Sequence, residues 1–246
     1  MDELKPLILA LDTSTSCCTL ALTSGTIARG GVLASLSLNG NMAHSRRLLT
    51  AIDWLFAESA VDWSMIDGLA VGLGPGSFTG LRIGLATAKG LAVAAGKPLV
   101  GLPTLDALAG SCRTSRLICA ALDARKREVY TAFYRCDATG VAKRISEIEA
   151  IDPRRLSELI TEPVLIVGDG ALVYGEQWQQ DLGDRVEFAP MHLHYPSADI
   201  IGLLGGRLLK DRQTLDLAQA VPLYVRASDA ELSLVARRTP VHGGEN

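Results

Sequence analysis

GLAVGLGPGSFTGLRIGLATAKGLAVAAG, residues 68–96, places an apolar run, a glycine loop and a long helical pattern in immediate succession. Leu69 to Val71 has the composition of a short buried strand. Gly72, Gly74, Pro75 and Gly76 turn the chain, and a helix is predicted from about Ser77 to Ala95. That helix is costly, because Gly80, Gly84 and Gly90 each lose about 1 kcal/mol against alanine in a helix interior. Gly80, Gly84, Ala88 and Ala92 recur every four residues and share one face, over which another element approaches with almost no side chain between. Burial inside the same domain and contact with another chain both satisfy that spacing. The loop before the helix exposes backbone N–H groups where an anion can bind. It is not a Walker A loop, since Leu81 and Arg82 follow Gly80. The dinucleotide fingerprint has Gly74 and Gly76 but Thr79 in its third position, and a nucleophile elbow needs glycine where Pro75 stands. A plain Gly-Pro turn is the alternative.

Outward from this block, 246 residues allow one large domain or two smaller ones, and 48% apolar residues supply a sizeable core. A formal charge of −3 gives no bulk attraction to nucleic acid, so any RNA contact must use a local patch or a partner. The five cysteines (Cys17, Cys18, Cys112, Cys119 and Cys136) form no C-x-x-C pair and fit buried thiols in a reducing compartment. The start, MDELKPLILA, has the wrong charges for a secretory signal, and no apolar run reaches the length of a membrane span. A cytoplasmic location is expected.

In chain order, Leu7 to Leu11 reads as a strand ending in Asp12-Thr13-Ser14-Thr15-Ser16, whose carboxylate and hydroxyls suit either phosphate binding or a polar turn. Cys17 to Thr23 and Ile27 to about Leu38 complete an antiparallel meander. A helix from about Met42 to Ser59 buries Leu48, Ile52, Leu55 and Phe56, with His44 in its first turn as a surface residue. After the central block come a strand at Leu99 to Leu102 and a helix capped by Thr104. The pattern then restarts with strands at Leu117 to Leu122 and Glu128 to Arg135, joined by Asp123-Ala124-Arg125-Lys126-Arg127. A helix begins at Pro153, and a strand at Val164 to Val167 leads into the turn Gly168-Asp169-Gly170. Tyr174 to Tyr195 shows only weak periodicity; its His192-x-His194 lacks the companions a zinc site needs. Ser197 caps a helix to Lys210, Val221 to Arg226 closes the ordered part, and a flexible tail follows.

Five segments in this order, ILALDTSTSCCTLAL, GLGPGSFTGLRIGLATAKGLA, GLPTLDALA, LDARKREVYTAFY and PLYVRA, resemble the TsaB (YeaZ) family. The resemblance covers most of the chain and is loose only over 138–195. It implies an α/β fold of the actin-like ATPase, ribonuclease H-like type: two related domains, 1–110 and 111–246, each a mixed sheet flanked by helices, with the 197–210 helix packing back on the first. It further implies a non-catalytic subunit of the bacterial machinery that makes N6-threonylcarbamoyladenosine at position 37 of tRNAs reading codons that begin with A. Its partners are then the catalytic homologue TsaD, the ATPase TsaE and tRNA, with a homodimer forming when the chain is alone. A degenerate nucleotide site is implied at Asp12, Thr13, Asp123, Gly168 and Gly170, with no tightly bound cofactor and at most weak or interface-shared ATP or ADP. The partner interface is expected on the Met42–Ser59 and Ser77–Ala95 helices through Leu48, Ile52, Gly80, Gly84, Ala88 and Ala92. Arg125, Lys126 and Arg127 are the candidate RNA contacts.

The residues themselves lean the same way. Asp12-Thr13-Ser14-Thr15 and Asp123–Arg127 both lack the glycines of working phosphate loops. No histidine falls between Leu102 and Ala109, where the resemblance puts the catalytic homologue's metal-binding pair. No H-E-x-x-H supports the peptidase label that older records attach to the family. A self-sufficient small-molecule kinase or ATPase of the same fold is the alternative, and a peptidase the more distant one.

Overall fold

The computed structural model describes residues 5–40 and 45–226, with the side chains of 45–47 outside that description; His44 and the tail after 226 lie outside it as well. The first sheet starts from β1 (Leu7–Asp12), flanked on one side by the meander β2 (Cys17–Ser24) and β3 (Gly31–Asn39). On its other side β4 (Gly68–Gly72) and β5 (Leu99–Leu102) run parallel to it, giving the order β3-β2-β1-β4-β5. Continuous apolar runs such as β1 and β4 need cover on both faces. One face is covered by α1 (Ser45–Ser59) and α2 (Phe78–Ala95), whose Leu48, Ile52, Leu55, Leu85 and Ala88 join Leu9, Leu11 and Val71 in one core. The other face is covered by α6 (Ala198–Lys210), which the structure seats against β1, β2 and β4. A Cβ at Gly205 of α6 would lie 2.6 Å from that of Ala70, so glycine there lets the helix reach the sheet.

The second sheet repeats the plan. β6 (Leu117–Arg125) lies between the antiparallel β7 (Glu128–Cys136) and the parallel β10 (Val164–Val167). The order is β11-β10-β6-β7-β8, where β8 is Ala142–Arg144 and β11 is Val186–Phe188, and β9 (Glu149–Ile151) also pairs with β7. α4 (Pro153–Leu159) and α5 (Gly170–Leu182) cover one face, with Trp178 fully buried and its indole N–H donating to Pro153 O at 3.0 Å. The other face packs on α3 (Thr104–Gly110), which joins the two halves through Leu105, Leu108 and Ala109 against β6 and β7. The Tyr134 hydroxyl donates to Asp106 across this joint at 2.8 Å. Each half is thus a mixed sheet with a meander on one side of its first strand and parallel crossovers on the other, which is the duplicated plan of the actin-like fold.

Several elements depart from the sequence reading. α5 and β11 fall in the stretch of weak periodicity: Ala171, Trp178 and Leu182 are buried, but glycines and glutamines interrupt the stripe. Thr104 does not cap α3; its hydroxyl oxygen instead accepts from Gly74 N at 3.1 Å, tying α3 to the glycine loop. β3 begins at Gly31 rather than near Ile27.

Candidate functional site: the cleft between the two halves

The C-terminal ends of β1 and β6 face one another across a cleft of about 600 Å³. From the first half come Thr13 to Ser16 and the Gly76-Ser77-Phe78 turn; from the second come Leu122 to Lys126, Tyr130 and Asp169. The first wall is a knot of backbone bonds. Ser77 N donates to Ser14 O at 2.6 Å, Thr13 Oγ1 donates to Gly80 O at 2.7 Å, and the Ser77 hydroxyl caps α2 by accepting from Gly80 N. Asp12 lies beneath this turn and outside the lining. Its Oδ1 accepts from both the N–H and the hydroxyl of Ser14, whereas its Oδ2 has no hydrogen-bond partner among the described residues. Burial pushes its carboxyl up to about 6, against the opposing pull of the Ser14 bonds and of the Thr104 hydroxyl nearby.

The second wall is the hairpin joining β6 to β7. Arg125, Lys126 and Arg127 all have positive φ, at 63°, 52° and 62°, the region that glycine occupies without cost. The loop therefore keeps the backbone of a glycine turn while presenting three exposed cationic side chains. One oxygen of each nearby carboxylate braces this hairpin: Asp169 Oδ1 accepts from Asp123 N at 2.9 Å, and Asp123 Oδ1 accepts from Arg125 N at 3.0 Å. Burial raises the Asp169 carboxyl, offset by that backbone bond.

Of the five residues expected around a nucleotide, the structure brings Thr13 and Asp123 to the cleft and leaves three aside. Asp12 is sealed below the turn. Gly168, at φ +119°, and Gly170 press on β6, where a Cβ would come within 2.1 Å and 2.9 Å of Ala121 O. They are packing glycines, and Gly168 N also donates to the buried His194 Nδ1 at 3.1 Å. Asp169 and the strap Leu223–Arg226 line the cleft instead. In the sequence Asp169 is visible only as the middle of a turn, and the strap only as an apolar, aromatic run before the tail.

The six residues expected at a partner interface need a larger correction. Leu48, Ile52, Gly80, Gly84, Ala88 and Ala92 are all buried within their own half. A Cβ at Gly80 would sit 2.0 Å from Thr13 O, and one at Gly84 2.2 Å from Thr13 Oγ1. This stripe therefore lets α2 lie on the end of β1 and is taken up by packing within its own half. What α1 and α2 turn outward is a different set: Leu49, Trp54, Ala86, Gly90 and Val93, with Trp54 51% and Val93 68% exposed. A Cβ at Gly90 would meet none of the described residues within 4 Å.

Two mixed sheets of matching topology, meeting at such a cleft, define a protein of the actin-like fold class. The model of the family TsaD, tRNA N6-adenosine threonylcarbamoyltransferase, matches residues 29–234. The Escherichia coli K12 tRNA threonylcarbamoyladenosine biosynthesis protein TsaB is 31% identical over 89% of this chain and 94% of its own length. Its namesake from Bacillus subtilis is 28% identical over 91% and 96%. The solved structure of YeaZ from Pseudomonas aeruginosa superposes with a TM-score of 0.71 at 29% identity, covering 89% of this chain and 99% of the other. The chain belongs to the TsaB (YeaZ) family, within the wider group that the TsaD model describes.

Proposed function

We propose that this protein is a non-catalytic subunit in the formation of threonylcarbamoyladenosine on tRNA, and that it docks a TsaD-type catalytic homologue on the outward face of α1 and α2. The observation that carries the docking face is Gly90. A glycine in the middle of an 18-residue helix costs about 1 kcal/mol, and none of the described residues needs the space. Close approach by a helix of another molecule supplies the reason, and the exposed Val93, three residues on along the same side of α2, supplies apolar area to bury. A second copy of this chain is the substitute partner when TsaD is absent, because the two share a fold.

The non-catalytic reading is supported by how the cleft is built. Its glycines are occupied with packing, its first aspartate is sealed away, and its remaining carboxylates hold the hairpin. These residues do not fit a tightly bound magnesium nucleotide; weak ATP or ADP binding, or binding shared with a partner, is what such walls allow. TsaE and tRNA join through the assembled complex, in the cytoplasm, with Arg125, Lys126 and Arg127 reaching RNA phosphates. Among the described residues no helix is long and apolar enough to cross a membrane.

Gly90→Leu tests the docking face. The substitution leaves the monomer folded, since the site is open, and is expected to weaken TsaD binding at least tenfold in a titration by calorimetry. Unchanged affinity refutes the assignment of this face.

A further inference from the structure

Beyond α6 the chain doubles back along the first half. Leu215 N donates to Leu99 O at 2.8 Å on the edge of the sheet, the Lys89 ammonium donates to Ala220 O at 3.2 Å, and Leu223 N donates to Leu73 O at 2.7 Å. The segment then enters the cleft, and two side chains fasten it there. The Tyr224 ring lies 5.3 Å from that of Phe78, at the start of α2. Arg82 holds both: its guanidinium carbon sits 3.9 Å from the Phe78 ring centroid, and its Nε donates to the Tyr224 hydroxyl at 3.1 Å. Two residues later, Arg226 Nη1 pairs with Glu128 Oε2 at 2.5 Å, and Glu128 opens β7 in the other half.

The halves are therefore joined on two sides by different means. On one side α3 packs into a hydrophobic core with β6 and β7; such a joint does not slide without exposing apolar area. On the cleft side the join is short and polar: Tyr224 belongs to α2 through its ring and hydroxyl, and Arg226 belongs to the hairpin through a partly exposed ion pair. Contacts of that kind open at low free energy.

We propose that Leu223–Arg226 is an intramolecular clasp that ties the two walls of the interdomain cleft together, so that hinge motion about α3 requires Tyr224 and Arg226 to let go first. The clasp starts on the helix whose outer face carries Gly90 and ends on the hairpin that carries Arg125 to Arg127. It mechanically links the two surfaces.

Hydrogen–deuterium exchange on the full chain tests this, comparing wild type, Tyr224→Ala, Glu128→Arg and the charge-swapped double variant Glu128→Arg/Arg226→Glu. Each single variant is expected to speed exchange about fivefold at both cleft walls, 76–82 and 123–130, while the amides of β1 and those of β6 from 117 to 122 keep their rates. The double variant returns the walls toward wild-type rates. Faster exchange confined to 221–226, or a double variant no slower than Glu128→Arg, overturns the clasp.

Discussion

Replacing Asp12 with asparagine removes a charge that the fold holds at a cost. The carboxyl is fully buried, with Oδ2 unpartnered among the described residues, and burial moves it from an ordinary value of 3.8 to about 6. A raised acid favours the folded state in its protonated form. Its contribution is complete below pH about 4 and is lost as pH rises through 6. The shift of roughly two pH units, at about 1.4 kcal/mol each, corresponds to about 3 kcal/mol. In the Asp12→Asn variant the amide Oδ1 would still accept both Ser14 bonds, so the substitution deletes the titration and keeps the brace. Above pH 7 the variant is then more stable than wild type by up to about 3 kcal/mol, or a Tm higher by about 6–12 °C for a chain of this length. Near pH 4 that advantage vanishes. Asp106 and Asp169, also raised by burial, titrate alike in both proteins and cancel in the difference. Thermal melts of the two proteins from pH 4 to pH 8 measure it; parallel curves refute the reasoning, because a fixed packing or hydrogen-bond defect changes the offset but not the slope.

The helix glycines give a paired prediction. Gly90→Ala should stabilise the chain by about 1 kcal/mol, while Gly84→Ala, forced against Thr13, should destabilise it by about 1–3 kcal/mol in urea titrations. Tyr134→Phe removes the donor to the mostly buried Asp106 and is expected to cost about 1–3 kcal/mol, read as a shift in denaturation midpoint. Substituting Arg125, Lys126 and Arg127 together by alanine should weaken tRNA binding by the assembled complex and flatten the dependence of log K on log salt; an unchanged slope assigns these residues to a solvated turn.

The strand-loop-helix at 68–96 is legible in the sequence because apolar runs, glycine punctuation and a helix stop all fall within one window. β1, β6 and β10 are legible for the same reason, as unbroken apolar runs that only a doubly covered sheet accepts. α5 is not. Its buried residues are separated by Gly175 and a run of glutamines, and the helix is held by tertiary contacts such as the Trp178–Pro153 bond rather than by its own pattern. Spacing identifies a small-residue face on α2 but carries no information on what lies against it. Four-residue periodicity reads the same whether the neighbour is Thr13 or another chain. Gly90, off that stripe, looks in the sequence like an added cost, and only the open space around it separates it from Gly80 and Gly84. The hairpin at 125–127 lacks glycine, yet its backbone adopts the φ values glycine prefers, which composition alone cannot reveal. The clasp joins residues nearly a hundred positions apart, Glu128 and Arg226, and no local pattern marks such a pair.

The central claim is that this chain acts by docking a homologue and performs no chemistry itself. The most direct measurement is the yield of threonylcarbamoyladenosine on a tRNA substrate, by mass spectrometry, with TsaE and the threonylcarbamoyl donor supplied throughout and this chain and TsaD added singly or together. The account predicts modified tRNA with both present, none with this chain alone, and a loss with the Gly90→Leu chain. Product formed by this chain without TsaD would contradict it.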